Sequence, residues 1–157
     1  MDRSLDSLSF EFKPVAFAWI ARCVERGVPV MIIQTSRTPA EHATNLANET
    51  SGTTLSLHLP RKLRESQFGV LIDDLDKADA MDLAPWETYQ AHGPDKINWD
   101  AYSREFGIIA EECERLGLRS GVRWRKPFDP GHGELLLPSK VTLMAEERSR
   151  PWPAFRT

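Results

Sequence analysis

A chain of 157 residues, 41% hydrophobic and 27% charged, is long and apolar enough to fold around a core without covalent staples. Its net charge of −3 argues against general nucleic-acid binding, which needs a basic face to neutralise phosphates, and leaves only a local basic patch open. Two cysteines, Cys23 and Cys113, are too few for a disulfide framework, and both sit among apolar residues, so buried reduced thiols are expected.

Residues 13–26 have the pattern of an amphipathic helix: Pro14 in its first turn, Ala16, Ile20, Cys23 and Val24 on one face, and Gly27 as the stop. Residues 28–35 are short, β-branched and apolar, as expected of a buried strand. Thr38-Pro39-Ala40-Glu41 then gives a capping box with proline at the first helical position, for a helix running to about Asn48. Arg37 is thus pinned between a strand end and a capped helix, which mounts its guanidinium rigidly; a surface arginine or a structural ion pair is the plainer alternative. His42, on that helix, is read as a surface residue.

Residues 48–54 are loop by composition, and His58 follows among leucines, where a satisfied core histidine competes with a ligand. Residues 61–77 are charged and irregular apart from an apolar patch at 68–72, and are expected to form a long surface excursion. Residues 78–86 are strand-like, with small residues alternating about Asp79. His92-Gly93-Pro94 marks a turn that could line a cleft. Asp100 is the candidate cap of a helix on which Phe106, Ile109, Ala110, Cys113 and Leu116 share a face before Gly117. A strand over 121–125 should precede a tight turn at Asp129-Pro130-Gly131-His132, itself followed by an apolar strand at 135–137. The last residues, 140–157, start mildly helical and end in a Pro151-Trp152-Pro153 tail along the surface.

The turn at 129–132 can aim a carboxylate and an imidazole at one point, although solvated polar groups before a strand would read the same. Taken with His58 and a carboxylate in the 73–82 region, Asp129 and His132 complete the residue types of a catalytic zinc site. Such a metal lowers the pKa of its water from about 15.7 toward roughly 7. A nearby carboxylate would move the proton, and a fixed cation, with Arg37 the candidate, would stabilise the oxyanion. No nucleophile-elbow pattern surrounds Ser56, and no H-E-x-x-H motif occurs, which closes the catalytic-serine and common zincin readings.

Arg37-Thr38, Ser56-Leu57-His58, Ala78-Asp79-Ala80-Met81-Asp82 and Asp129-Pro130-Gly131-His132, in that order, resemble the signature of the M15 peptidases, the DD-carboxypeptidase and L-alanyl-D-glutamate endopeptidase group that includes many phage endolysins. The resemblance implies zinc (Zn2+) bound by His58, Asp82 and His132, with Asp129 as general base and Arg37 on the carbonyl oxygen. The segment 82–96 is also similar to the stretch after the carboxylate ligand in phage and prophage members. Three features depart from the family. The interval from His58 to Asp82 is long; Asp73, followed by Asp74, is a rival carboxylate with bulky Leu71 where the family has alanine; and Gly133 replaces an aromatic residue, which would widen the cleft or weaken substrate stacking. Glu134 could orient a ligand, or could simply face solvent.

The resulting expectation is an α+β fold in which a small antiparallel sheet carries the ligands and helices pack on one side, resembling the Hedgehog/DD-peptidase fold. Residues 1–157 would form a single catalytic peptidase domain, monomeric, without a transmembrane segment or nucleic-acid partner. Its function would be that of a hydrolase, a zinc metallopeptidase cutting peptidoglycan stem peptides as a phage-lysis endolysin. With no basic-then-apolar start, it would be made in the cytoplasm without a signal peptide and act on the cell wall after release. Alternatives of other kinds are a metal-stabilised wall-binding module without turnover and a cytoplasmic D-Ala-D-Ala dipeptidase.

Overall fold

The computed structural model describes residues 1–48, 56–60, 63–73, 76–87 and 96–157. The expectations for the 48–54 loop beyond Asn48, for Asp74 and for the His92 turn therefore lie outside the described residues. The fold is α+β. Four antiparallel strands, β1 (Val30–Gln34), β4 (Ala80–Pro85), β6 (Asp129–Glu134) and β5 (Arg119–Gly121), lie side by side in that order. A separate two-stranded hairpin, β2 (Arg64–Glu65) with β3 (Leu71–Ile72), precedes β4 in the chain. The helices are α1 (Phe12–Glu25), α2 (Pro39–Ala47), α3 (Arg104–Arg115) and α4 (Val141–Arg148).

The core lies between the sheet and the pair α1 and α3. Apolar residues repeating at three and four give each helix a buried stripe: Phe12, Ala16, Trp19 and Cys23 on α1, and Phe106, Ile109, Ala110 and Cys113 on α3. These stripes meet the inward face of β4, where Met81 and Leu83 are buried. Trp19 is anchored by its indole N–H, which donates to the Ile109 carbonyl at 2.8 Å. Both cysteines are buried free thiols; burial raises Cys23 to about 12 and Cys113 well above its usual value.

Several boundaries differ from expectation. Ser103, not Asp100, caps α3, accepting the Phe106 N–H at 3.3 Å; Asp100 instead accepts the Tyr102 N–H at 3.1 Å just upstream. The strand expected over 121–125 ends at Gly121, and 122–125 belongs to the connection leading to β6. The turn expected at Asp129 is itself strand, whereas Leu135 to Leu137 lie beyond it, with the Leu135 N–H donating to the Asp79 carbonyl at 2.8 Å. The 61–77 excursion is not wholly superficial either. Arg64 is buried and donates to Glu11 at 2.9 Å and to Asp79 at 3.2 Å, so the hairpin is tied to α1 and to the entry of β4. At the C-terminus the tail lies along the surface as expected, with Arg123 stacked 5.0 Å from the Trp152 ring and Phe155 against Gly107.

Candidate metal centre

Strand register builds most of the site. Gln34 of β1 is opposite Asp82 of β4, and Asp82 is opposite His132 of β6, so three polar side chains form one row across the sheet. The adjacent residue Gly133 faces the helices: a Cβ there would lie 2.6 Å from the Trp19 ring and 2.8 Å from Cys113 Sγ. Side chains alternate along a strand, so His132 points to the opposite face, away from the core. In the row, Asp82 Oδ1 and His132 Nδ1 are 2.9 Å apart.

His58 arrives from outside the sheet. Its segment is clamped between two elements: the Arg37 N–H donates to the His58 carbonyl at 2.9 Å, and the Asp79 N–H donates to the Leu57 carbonyl at 2.9 Å. His58 Nε2 consequently stands 3.1 Å from Asp82 Oδ1 and 3.3 Å from His132 Nδ1.

Three lone-pair atoms meeting at these distances repel unless a cation or protons lie among them. The remaining ring nitrogens fix which atoms are free to ligate. His58 Nδ1 is 2.9 Å from the Thr35 carbonyl oxygen, which can only accept, so Nδ1 carries the hydrogen and Nε2 keeps its lone pair. His132 Nε2 lies 3.3 Å from Glu134 Oε2, the carboxylate–histidine arrangement that orients a metal-ligating imidazole and raises its basicity. Two imidazoles, each held from behind, and one carboxylate form a donor set that could hold a metal ion, and zinc accepts ligands of these types.

The same contacts shift the ionisation of the acids and of His132. At His132 burial disfavours the imidazolium, but hydrogen bonds to Asp82 and Glu134 outweigh it and raise the pKa to about 10. Burial would raise Asp82, yet its contacts with His58 and His132 hold it well below the carboxylate range. Glu134 is held low against the same burial by His132, Lys140 and Arg119. Asp129 goes the other way: burial and then the Asp82 charge push it up to about 6.

The five residues singled out in the sequence, His58, Asp82, His132, Asp129 and Arg37, line one cleft of about 560 Å³. Arg37 is buried, donates through Nε to Gln34 Oε1 at 2.9 Å, and makes no ion pair among the described residues. Its mount is the one expected: Thr38 accepts the Glu41 N–H at 3.2 Å while Glu41 accepts the Thr38 N–H at 2.9 Å. Asp73 is exposed beyond the end of β3 and is not part of the cluster.

Three expectations are corrected. His42 is buried rather than superficial, and neither ring nitrogen has a hydrogen-bond partner among the described residues. Glu134 does not face solvent; it is buried, accepts from Lys140 at 2.9 Å and pairs with Arg119, whose other nitrogens donate to Glu147 of α4 at 2.9 and 2.6 Å. Gly133 has no bearing on cleft width, because its missing side chain would enter the core. The aromatic residue beside the last histidine comes instead from Trp124, whose ring centre is 4.8 Å from that of His132 and 4.9 Å from the Arg119 guanidinium. Neither Trp124 nor Arg119 carries a motif; their role depends on folding across β5 and β6.

No family model matches this chain, and no curated protein matches its sequence. Among solved structures it is similar to the L-Ala D-Glu endopeptidase ChiX of Serratia marcescens, with a TM-score of 0.52 over 84% of this chain and 83% of that one. The two are 16% identical, so the likeness is one of fold.

Proposed function

We propose that the protein is a zinc-dependent peptidase hydrolysing peptide bonds in bacterial peptidoglycan stem peptides. What carries this reading is the convergence of His58 Nε2, Asp82 Oδ1 and His132 Nδ1 within 3.3 Å, with each histidine's other nitrogen already engaged. The likeness in fold to a peptidoglycan endopeptidase points the same way. In this reading His58, Asp82 and His132 hold the ion. When bound, zinc supplies Lewis acidity and makes water acidic enough to lose a proton near neutral pH.

The chain's own residues do the rest. Asp129, in the same cleft and with its pKa lifted to about 6, takes the proton from water and returns it to the departing amine. Arg37, held by Gln34, donates to the scissile carbonyl oxygen as negative charge develops there. Its only side-chain partner among the described residues is neutral, which leaves the guanidinium charge available to that oxygen. A role in lysis by a phage or prophage rests on the resemblance of segment 82–96, of which 88–95 lie outside the described residues.

The test is Asp129→Ala, assayed for zinc content and for release of fragments from purified peptidoglycan. Retained zinc with turnover lowered by about 10²–10⁴-fold supports the peptidase. Wild-type protein that binds wall without releasing fragments would make the chain a metal-stabilised binding module.

A further inference from the structure

The cleft carries more positive charge than its own acids can balance. Asp82 lies between two imidazoles, Glu134 is met by Arg119 and Lys140, and Glu147 takes two more nitrogens of Arg119. These pairs neutralise one another in place. Left over in the lining are Arg125, Lys126 and Arg150, beyond the Arg37 already assigned, against the single remaining acid Asp129. Arg125 and Lys126 are exposed and form no ion pair among the described residues, and the Arg150 guanidinium donates to the neutral Arg123 carbonyl at 2.8 Å. The chain as a whole carries −3, so a cationic patch of this kind is local rather than a consequence of composition.

We infer that Arg125 and Lys126, on the connection between β5 and β6, form with Arg150 an anion-binding subsite that receives a free carboxylate of the peptide beside the scissile bond. The inference rests on the peptidase reading, because peptides offer carboxylates as their ordinary anionic groups. A glutamyl residue in a peptide chain uses one of its two carboxyl groups for the backbone and leaves the other free. The exposed cations Arg125 and Lys126 line the same cleft as His58, Asp82 and His132, so a peptide held at those residues comes within their reach. Charge complementarity at an exposed rim acts on encounter and selectivity, and it weakens with salt.

The experiment uses two synthetic stem peptides that differ only in whether the glutamyl carboxylate is free or amidated. Both are offered to the zinc-loaded protein, with cleavage followed by chromatography and binding by calorimetry. The wild type should prefer the free acid by about tenfold in kcat/KM at low ionic strength, and by less in high salt. Arg125→Gln/Lys126→Gln should close the gap to about twofold, and Arg125→Glu/Lys126→Glu should reverse it. Equal use of both peptides by the wild type, or a preference kept by both double variants, overturns the subsite and leaves the peptidase standing. Preferential binding of the acid without cleavage keeps the subsite and refutes the peptidase. Failure to bind either peptide overturns the subsite as well.

Discussion

Glu134→Gln is the most discriminating single substitution. The residue is buried, sits 3.3 Å from His132 Nε2, and accepts from Lys140 and Arg119 on its other side. Glutamine keeps the volume but removes the charge that steadies the imidazole and sets its basicity. Loss of such a partner typically weakens metal binding by about 10–100-fold, or about 1.4–2.7 kcal/mol at 1.36 kcal/mol per tenfold. The same change strips a counter-charge from Arg119 and Lys140, so a fall in folding stability of about 1–3 kcal/mol accompanies it. Glu147→Gln separates the two effects, since Glu147 binds Arg119 at 2.6 Å but does not touch His132. Chelator competition for zinc should show weak binding in Glu134→Gln and near-normal binding in Glu147→Gln, with urea midpoints lowered in both. Equal zinc affinity in Glu134→Gln and wild type would refute the orienting role.

Two further outcomes concern the scaffold. Arg64→Ala leaves Glu11 and Asp79 buried without their shared cation and should cost about 3–5 kcal/mol in urea unfolding, because an uncompensated buried charge is expensive. An unchanged midpoint would mean the hairpin is not tied to α1 through this residue. The buried thiols set an alkaline limit: a thiol raised to about 12 in the fold but near 8.5 when unfolded favours the native state below 8.5 and loses that contribution as pH climbs toward 12. The urea midpoint should therefore fall above pH 9, and fall less in Cys23→Ala. Equal slopes would exclude the thiol as the source.

The grouping of His58, Asp82 and His132 was more legible than the strand that carries His132. Thr38 and Glu41 announce their capping box because the interaction spans three residues, and the α1 and α3 stripes follow from helical spacing. His58, Asp82 and His132 could be gathered only because their short motifs occur in a family-like order; nothing local says that they meet. Segment 129–134 reads as a turn, since Pro130, Gly131 and Gly133 all disfavour strands. Tertiary packing overrides that preference. Position 131 passes so close to β4 that a Cβ would lie 2.2 Å from the Leu83 carbonyl oxygen, Gly133 makes room for Trp19, and the β5–β6 pairing is irregular between Ser120 and Gly121. The Arg119–Glu134–Glu147 and Arg64–Glu11–Asp79 clusters were hidden for a different reason: each arginine meets acids 15 or more positions away, and sequence spacing has no rule for such pairs.

The central claim is that three side chains distant in sequence bind one divalent ion, and metal content measures it most directly. Wild-type protein, purified without chelator and dialysed against trace zinc, should hold about one zinc per chain by the three-ligand rule for catalytic sites. His58→Ala, Asp82→Ala and His132→Ala should each lose it while Asp73→Ala keeps it. A wild type that binds no zinc, or an Asp82→Ala protein that retains it beside an Asp73→Ala protein that does not, would contradict the account.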